Sequence, residues 1–559
     1  MATRDTTGRW LFGPVPDLLL GCGLGYVLLL AAFLAAGVER SSVAALGVVP
    51  LISILTGTPH YGATLLRVYE TRAERRKYAF FAVWVTAFVW ALFYFGLYSA
   101  LLGSLLLTLY LSWSPWHYTG QNYGIAVMFL RRRGVPLEAR TKRLLYLSFV
   151  LSYGLTLLAL HGAVDAGTYS SVGPYKGGTF QLMRLGIPSP YWEVAFALVG
   201  IGYLGTLVGA SVALLRVASP RSLLPVAVLA LTQMLWFVAP VAARQWGILG
   251  PAGPLSTDLT AYAFFWVATG HSVQYLWITT YYAAGSRTYG PRAFYLLKTL
   301  VAGSFIWSVP GLIYGLSVEG GPLGGVARGG DVFVLLASVV NLHHFILDGA
   351  IWKLRDGRVA RVLIRHEPPE RPEPIDARKP VRWLAPVVYA LGGAATLQVL
   401  VSFFDHQLFF ERALREGDVR AAQHSLARLS WVRSDSHVDY LRLGHMAADE
   451  GLTRVAVQAY DTSLEKHPTA AVYVAVGRLS GKAGQFEQAI RSYERALELD
   501  PDYVEALNLL GLTWLRLDEP ERAELPLERA VALVPASEPL RASLERARAR
   551  LEARAEATP

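Results

Sequence analysis

Five histidines lie inside long apolar stretches of the chain: His60, His117, His271 and the adjacent pair His343 and His344. An ionisable side chain within a membrane helix is costly, which makes each of them a candidate functional residue. Imidazole binds metals in its neutral form, and several histidines at similar depth point to a buried metal or haem site. Polar partners recur about one helical turn away. Gln121 follows His117 by four residues, with Asn122 next to it. Gln274 and Tyr275 follow His271 by three and four. Asp348 follows His344 by four, and Asn341 precedes the pair. A metal-bound imidazole usually gives its second ring N–H to a carboxylate, amide or carbonyl. Gln121, Asn122, Gln274, Asn341 and Asp348 are therefore the expected orienting shell.

Helices must position these residues, and the apolar runs predict about eleven membrane spans. We place them near 17–37, 43–66, 78–98, 101–130, 144–164, 191–215, 222–240, 259–284, 294–316, 331–352 and 383–404. Basic residues fall in alternate loops, such as Arg72 to Lys77, Arg131 to Arg133 and Lys353 to Arg365. That pattern puts the N-terminus and these loops on the cytoplasmic side of a bacterial inner membrane. An odd number of spans then puts the C-terminal region in the periplasm. Counting ~1.5 Å per residue from those loops, His60 lies ~10 Å deep, His343 ~15 Å, His117 ~20 Å and His271 ~24 Å. One shared site is geometrically allowed.

Composition agrees with a membrane protein. Hydrophobic residues make up 53% of the 559 residues, and the mean hydropathy is +0.34. The net charge of +10 is carried largely by the short basic loops, so it orients the chain and does not predict nucleic-acid binding. The single cysteine, Cys22, excludes an internal disulfide and a thiolate metal cluster. The apolar character ends near Phe404. We expect a multi-span domain over 1–365, a Pro- and charge-rich linker over 366–382, a last span over 383–404 and a soluble helical domain over 405–559.

The C-terminal region repeats with a period of about 34 residues, marked by Pro468, Pro501 and Pro535. Tyr440, Gly444 and Ala456 belong to one unit. Tyr473, Gly477, Ala489, Tyr493 and Ala496 belong to the next, and Gly511, Trp514, Ala523 and Ala530 to the third. This pattern resembles the tetratricopeptide (TPR) repeat. The resemblance implies an α-solenoid whose concave face takes a protein or peptide partner. The fold class expected for the whole chain is all-α: a polytopic helical bundle in contact with membrane lipids, followed by a TPR solenoid.

Histidines dispersed over separate spans resemble those of bacterial membrane carotenoid-cleaving dioxygenases and, more loosely, membrane fatty-acid desaturases and hydroxylases, although the HxxxH and HxxHH boxes of the desaturases do not occur around them. The resemblance implies iron, dioxygen and an isoprenoid or acyl substrate, with His60, His117, His271 and His343 or His344 as ligands. From the residues themselves, haem and zinc stay open beside iron. The leading expectation is an oxidoreductase of a lipid or isoprenoid substrate with a TPR domain for protein interaction. A non-enzymatic scaffold or assembly factor is the alternative. A polytopic glycosyltransferase or glycan polymerase with periplasmic repeats is a third. Glu39 and Arg40 are the only charges in its first external loop, where such enzymes carry acids.

Overall fold

The computed structural model describes residues 10–36, 52–70, 72–162, 180–246, 258–286, 292–318, 330–353, 357–365, 384–432 and 435–557. All regular secondary structure among them is helical, apart from one isolated bridge between Gly162 and Ile187. The chain divides into two units, Met1–Val399 and Leu400–Pro559. The predicted linker, 366–382, lies outside the described residues.

In the first unit, α1 spans Leu24–Ala36, α2 Thr58–Tyr69, α3 Thr86–Gly96, α4 Ala100–Arg132, α5 Ala139–His161 and α6 Ser189–Val217. They are followed by α7 Pro220–Gln233, α8 Asp258–Ser286, α9 Arg292–Val318, α10 Gly330–Ile351 and α11 Leu384–Phe403, whose last turn passes the boundary at Val399. Four helical stretches among the described residues are long and apolar enough to cross a membrane: Ala139–His161, Ser189–Val217, Pro220–Ala243 and Val334–Ile351. The count of about eleven is therefore not supported. Two physical reasons are visible. α4 has the length, at 33 residues, but Ser112, Ser114, His117, Thr119, Gln121 and Asn122 dilute its hydropathy. The predicted span 78–98 is an apolar stretch of only 17 residues, Phe80–Gly96, whose first turn and a half is π-helical. Others of the eleven, such as 43–66, run through residues outside the described set.

Burial separates the centre of this unit from its edge. Of the apolar window in α10, 89% is buried, against 17% in α6. The polar residues of α10 are thus enclosed by other helices, which is where ionisable side chains in a membrane helix belong. Two apolar clusters flank them. One gathers Met128, Phe129, Leu229 and Trp277. The other gathers Phe93, Leu111, Leu335 and Val339.

α2 packs unusually close to α9. A Cβ at Gly62 would sit 1.7 Å from the Thr299 carbonyl oxygen, and one at Gly303 would sit 1.8 Å from that of Thr58. Such glycine pairs let two backbones meet where packing, not the hydrophobic effect, joins helices in lipid. Pro59 occupies the first turn of α2 and offers no N–H to the helical turn before it. A π-helical segment, Ser53–Gly57, precedes it.

The second unit stacks helix pairs: α12 Val419–Trp431, α13 His437–Asp449, α14 Thr453–Lys466, α15 Ala470–Lys482, α16 Phe486–Leu499, α17 Val504–Arg516, α18 Pro520–Leu533 and α19 Glu538–Ala557. Left-handed backbone recurs at Gly417, Gly451, Gly484 and Asp518, with φ of 70, 73, 75 and 59°. These positions are 34, 33 and 34 residues apart, so the turn inside each helix pair keeps the repeat period. Glycine takes this conformation without strain, and aspartate is among the few others that tolerate it.

Within a pair, Gly477 makes room for Tyr493. A Cβ there would lie 2.4 Å from the ring, whereas one at Gly481 would meet nothing closer than 3.8 Å. Gly477→Ala is therefore expected to destabilise the unit by about 1–2 kcal/mol, overpacking outweighing the better helix propensity of alanine. Gly481→Ala should be neutral or stabilising by up to about 1 kcal/mol. Chemical denaturation of the two variants checks the sign; a Gly477→Ala protein as stable as the parent would show that the Gly–Tyr contact does not limit packing.

Near the start of this unit, His406 Nε2 lies 2.9 Å from Asp439 Oδ1. The hydrogen bond to Asp439 raises the His406 pKa above its ordinary value. Burial alone would raise Asp439, but hydrogen bonds from His406 and Ser436 bring its pKa below the usual carboxylate value. A raised histidine stabilises fully below its unfolded pKa and loses that contribution as pH rises through its folded one. A depressed aspartate contributes above its unfolded pKa and loses it as pH falls through its folded one. The pair thus supports this unit most between about pH 4 and 6.5, given ordinary values near 3.9 and 6.5. The His406→Ala variant should lose on the order of 1 kcal/mol at pH 6 and little at pH 9. Equal losses at both values would remove the ionic contribution.

Candidate metal centre

Four of the five predicted histidines converge, each from a different helix: His60 on α2, His117 on α4, His271 on α8 and His344 on α10. Their rings form a closed circuit. Ring centroids are 4.2 Å apart for His344–His60, 4.7 Å for His60–His271, 4.9 Å for His271–His117 and 5.1 Å for His117–His344. One ligand atom each from His60, His271 and His344 falls within 4.8 Å of the others, and the same holds for His117, His344 and Asp348. On a four-coordinate ion with bonds near 2.1 Å, ligand atoms are about 3.4 Å apart. Small rotations of these rings would close that gap.

Burial and hydrogen bonding give this cluster its chemical character. His60, His271 and His344 are 2–3% exposed. His60 Nδ1, His117 Nε2, both nitrogens of His271 and His344 Nε2 are buried without a hydrogen-bond partner among the described residues. Each buried, unsatisfied polar group costs about 1–3 kcal/mol. A neutral imidazole offers one lone pair, so these atoms give at most four ligand nitrogens, one from each histidine, a set suited to a cation.

The surrounding hydroxyls are compatible with one ligating tautomer; Thr64 Oγ1 has three neighbours in reach, the Tyr275 hydroxyl at 2.6 Å and the two that follow. Thr64 Oγ1 donates to Asp348 Oδ1 at 2.8 Å and lies 3.0 Å from His344 Nδ1. With its proton committed to the carboxylate, Thr64 accepts the Nδ1–H of His344, which leaves the Nε2 lone pair facing the cluster. Tyr275 also donates to Asp348 Oδ1, at 2.6 Å, and accepts from Trp352 Nε1 at 2.9 Å. The other carboxylate oxygen, Oδ2, is 3.4 Å from His344 Nε2 and 3.7 Å from His117 Nε2. Asp348, expected in the orienting shell, thus stands among the possible ligands.

The other expected residues separate. His343 leaves the cluster and bonds Thr86 Oγ1 at 2.9 Å. Adjacent residues on a helix point about 100° apart, so the pair could not both face one site. Gln121 donates to the His271 carbonyl and to Gln274 Oε1, at 3.2 and 3.0 Å. These two amides tie α4 to the backbone of α8 and touch no imidazole nitrogen. Asn341 accepts from Tyr61 at 2.8 Å, and the Tyr61 ring packs against His60 and His344. Asn122 belongs to a different network. It donates to Gln233, which in turn donates to Thr119 and Ser152. Sequence reasoning missed Thr64, although it lies one turn after His60 on the same face.

A groove of about 340 Å³ adjoins the cluster. Trp113, Trp116, Phe345 and Trp352 give it aromatic walls, and His117, Tyr275 and Asp348 form its polar side.

A family model described as a TPR repeat matches residues 481–518. That match lies wholly within the second unit and covers α16 and α17. No curated protein is significantly similar to the chain.

Proposed function

We propose that the first unit is a membrane-embedded metalloenzyme that oxidises an apolar substrate, and that the TPR unit recruits a protein partner. The observation that carries this reading is the buried circuit of four histidines with unpartnered nitrogens, closed by Asp348 and opening on an aromatic groove. His60, His117, His271 and His344 would hold the ion, with Asp348 as a fifth donor. Five donors exceed the three protein ligands of a catalytic zinc site, and an all-imidazole and carboxylate set suits iron. Neighbouring imidazole rings only 4.2–5.1 Å apart favour a bare ion over haem, whose macrocycle must lie between its two axial imidazoles. Bound there, non-haem iron would supply oxidative chemistry with dioxygen. The residues supply the rest. Thr64 fixes the tautomer of His344, Tyr275 and Thr64 orient Asp348, and the apolar walls keep water from the reacting atoms. The basic loops favour a cytoplasmic N-terminus.

Metal analysis with an optical spectrum on detergent-purified full-length protein tests this. The expected result is near-stoichiometric iron without a Soret band, lost in a folded His117→Ala/His271→Ala variant. Metal-free protein that gains no affinity on reconstitution with ferrous iron would overturn the reading and leave a scaffold built around the TPR unit. Stoichiometric zinc would shift the chemistry to hydrolysis.

A further inference from the structure

The second unit exposes aliphatic residues singly along its length, such as Leu452, Leu499 and Leu525, and scattered exposure of this kind is ordinary. Its exposed aromatic residues are distributed differently. Among the described residues of the unit they are Phe404, Phe409 and Trp431, at 41, 53 and 78% exposure, and all belong to its first helical hairpin. Leu408 is exposed beside them.

The hairpin begins where an apolar helix ends. α11 carries no charged residue over its 20 positions, about the length that crosses a bilayer core. The chain continues directly into a π-helical segment, Phe404–Phe410, and a short helix, Glu411–Glu416. Left-handed Gly417 then turns it back into α12. Asp405 and Phe410 are buried against α12. Phe404, Leu408 and Phe409 recur at the spacing of one π-helical turn, so they share the opposite face. Ser425 Oγ donates to the Asp405 carbonyl at 2.8 Å, and Arg428 Nε donates to Asp405 Oδ1 at 2.6 Å. α12 runs antiparallel to this segment. Six residues past Ser425, ~9 Å along the helix, Trp431 is therefore level with the last turn of α11. The Arg428 guanidinium lies over the Phe409 ring, 5.7 Å from its centre. An exposed tryptophan level with the end of an apolar helix stands at the depth where aromatic side chains gather in membrane proteins.

Charge does not drive this face to a membrane. Between Phe404 and Trp431, Arg412, Arg415, Arg420 and Arg428 are balanced by Asp405, Glu411, Glu416 and Asp418. Attraction to anionic headgroups needs an excess of basic residues, so apolar contact has to hold the hairpin down. We propose that the first hairpin of the TPR unit is seated in the lipid headgroup layer, with Phe404, Leu408, Phe409 and Trp431 at the boundary with the acyl chains. The proposal rests on reading α11 as a membrane span and is independent of the metal centre. A protein partner bound by the repeats is thereby held at the membrane surface.

Nitroxide labels at Phe404→Cys and at Leu408→Cys, on full-length protein in zwitterionic lipid nanodiscs, test the seat. Cys22 is buried, so the parent serves as the unlabelled control. Both labels are expected to be open to oxygen, which concentrates in lipid, and closed to a water-soluble nickel chelate. A label at Leu525→Cys on α18, a site 74% exposed, should show the reverse. Trp431→Ala changes a surface position and should leave the fold intact. It should raise nickel access at Leu408 by up to about tenfold, the effect of losing roughly 55 Å² of apolar contact, about a quarter of what a tryptophan can bury. Nickel access at Phe404 and Leu408 equal to that at Leu525 overturns the seat. Labels closed to both reagents also overturn it, because protein would then cover this face. A label at Leu391→Cys, half exposed within α11, separates the two readings. Lipid at Leu391 with water at Leu408 would keep the span and remove the seat; water at Leu391 would remove the span and the seat with it.

Discussion

Replacing His344 with alanine is expected to abolish metal binding, whereas the same change one residue earlier, at His343, leaves it intact. The two side chains are neighbours in sequence and both buried, at 3 and 2% exposure, so composition and depth cannot tell them apart. Their partners do. His344 is 4.2 Å from His60 and 5.1 Å from His117 by ring centroid, and its Nε2 has no hydrogen-bond partner. His343 is satisfied by Thr86 on α3. Losing a residue that merely orients a ligand costs roughly 10–100-fold in metal affinity; losing His344 removes a ligand shared by both candidate triads and should cost more. His343→Ala instead loses a buried hydrogen bond and leaves a small cavity, a stability effect on the order of 2 kcal/mol. Iron content and thermal unfolding of both variants separate the two effects. Equal loss of iron in both would mean that the cluster answers to helix packing and not to ligation.

That contrast marks what the sequence could reveal. Periodicity showed helices, and repeated Gly, Ala and Pro at a fixed interval showed the TPR unit, because both depend on contacts between residues close in the chain. Depth counted from basic loops left His60, His343, His117 and His271 spread over ~14 Å, close enough to allow one site, and His60, His117, His271 and His344 are the ones that converge. Rotation about each helix axis was not legible. It decides that His344 turns inward and His343 outward, and that Asn122 faces Gln233 while its neighbour Gln121 faces His271. Distances along the axis follow from counting; azimuth follows from packing between distant segments, such as α2 against α9 through Gly62 and Gly303. The span count failed for a related reason. Polar residues of α4, most of them outside the histidine cluster, lower its hydropathy, whereas α10, which carries His344 and Asp348, stays apolar enough to span. Thr64 went unnoticed because a threonine one turn from a histidine is commonplace until Asp348, 284 positions away, is placed beside it.

Asp348→Asn is expected to keep the fold and lower metal affinity by about 10–100-fold, as loss of a charged partner of the ligand set does. The two carboxylate oxygens have different tasks. Oδ1 accepts from both Thr64 and Tyr275, and asparagine can keep an oxygen there. Its NH₂ group must then occupy the position of Oδ2, which now lies 3.4 Å from His344 Nε2 and 3.7 Å from His117 Nε2. An amide N–H in that place donates to the imidazole lone pairs and competes with a cation for them, where a carboxylate would join them in binding it. Asp348→Ala is a different experiment. It leaves the Thr64 and Tyr275 hydroxyls without their acceptor, at about 1–3 kcal/mol each, so loss of metal there is mixed with loss of stability. Thr64→Val separates orientation from charge. It keeps the carboxylate and the side-chain shape but removes the acceptor of the His344 Nδ1–H. If Asp348 acts as a ligand, Asp348→Asn should weaken iron binding in a chelator competition more than Thr64→Val does. If its role is only to hold Thr64 and Tyr275, Asp348→Asn should bind iron as the parent does, and the fifth donor must be removed from the site.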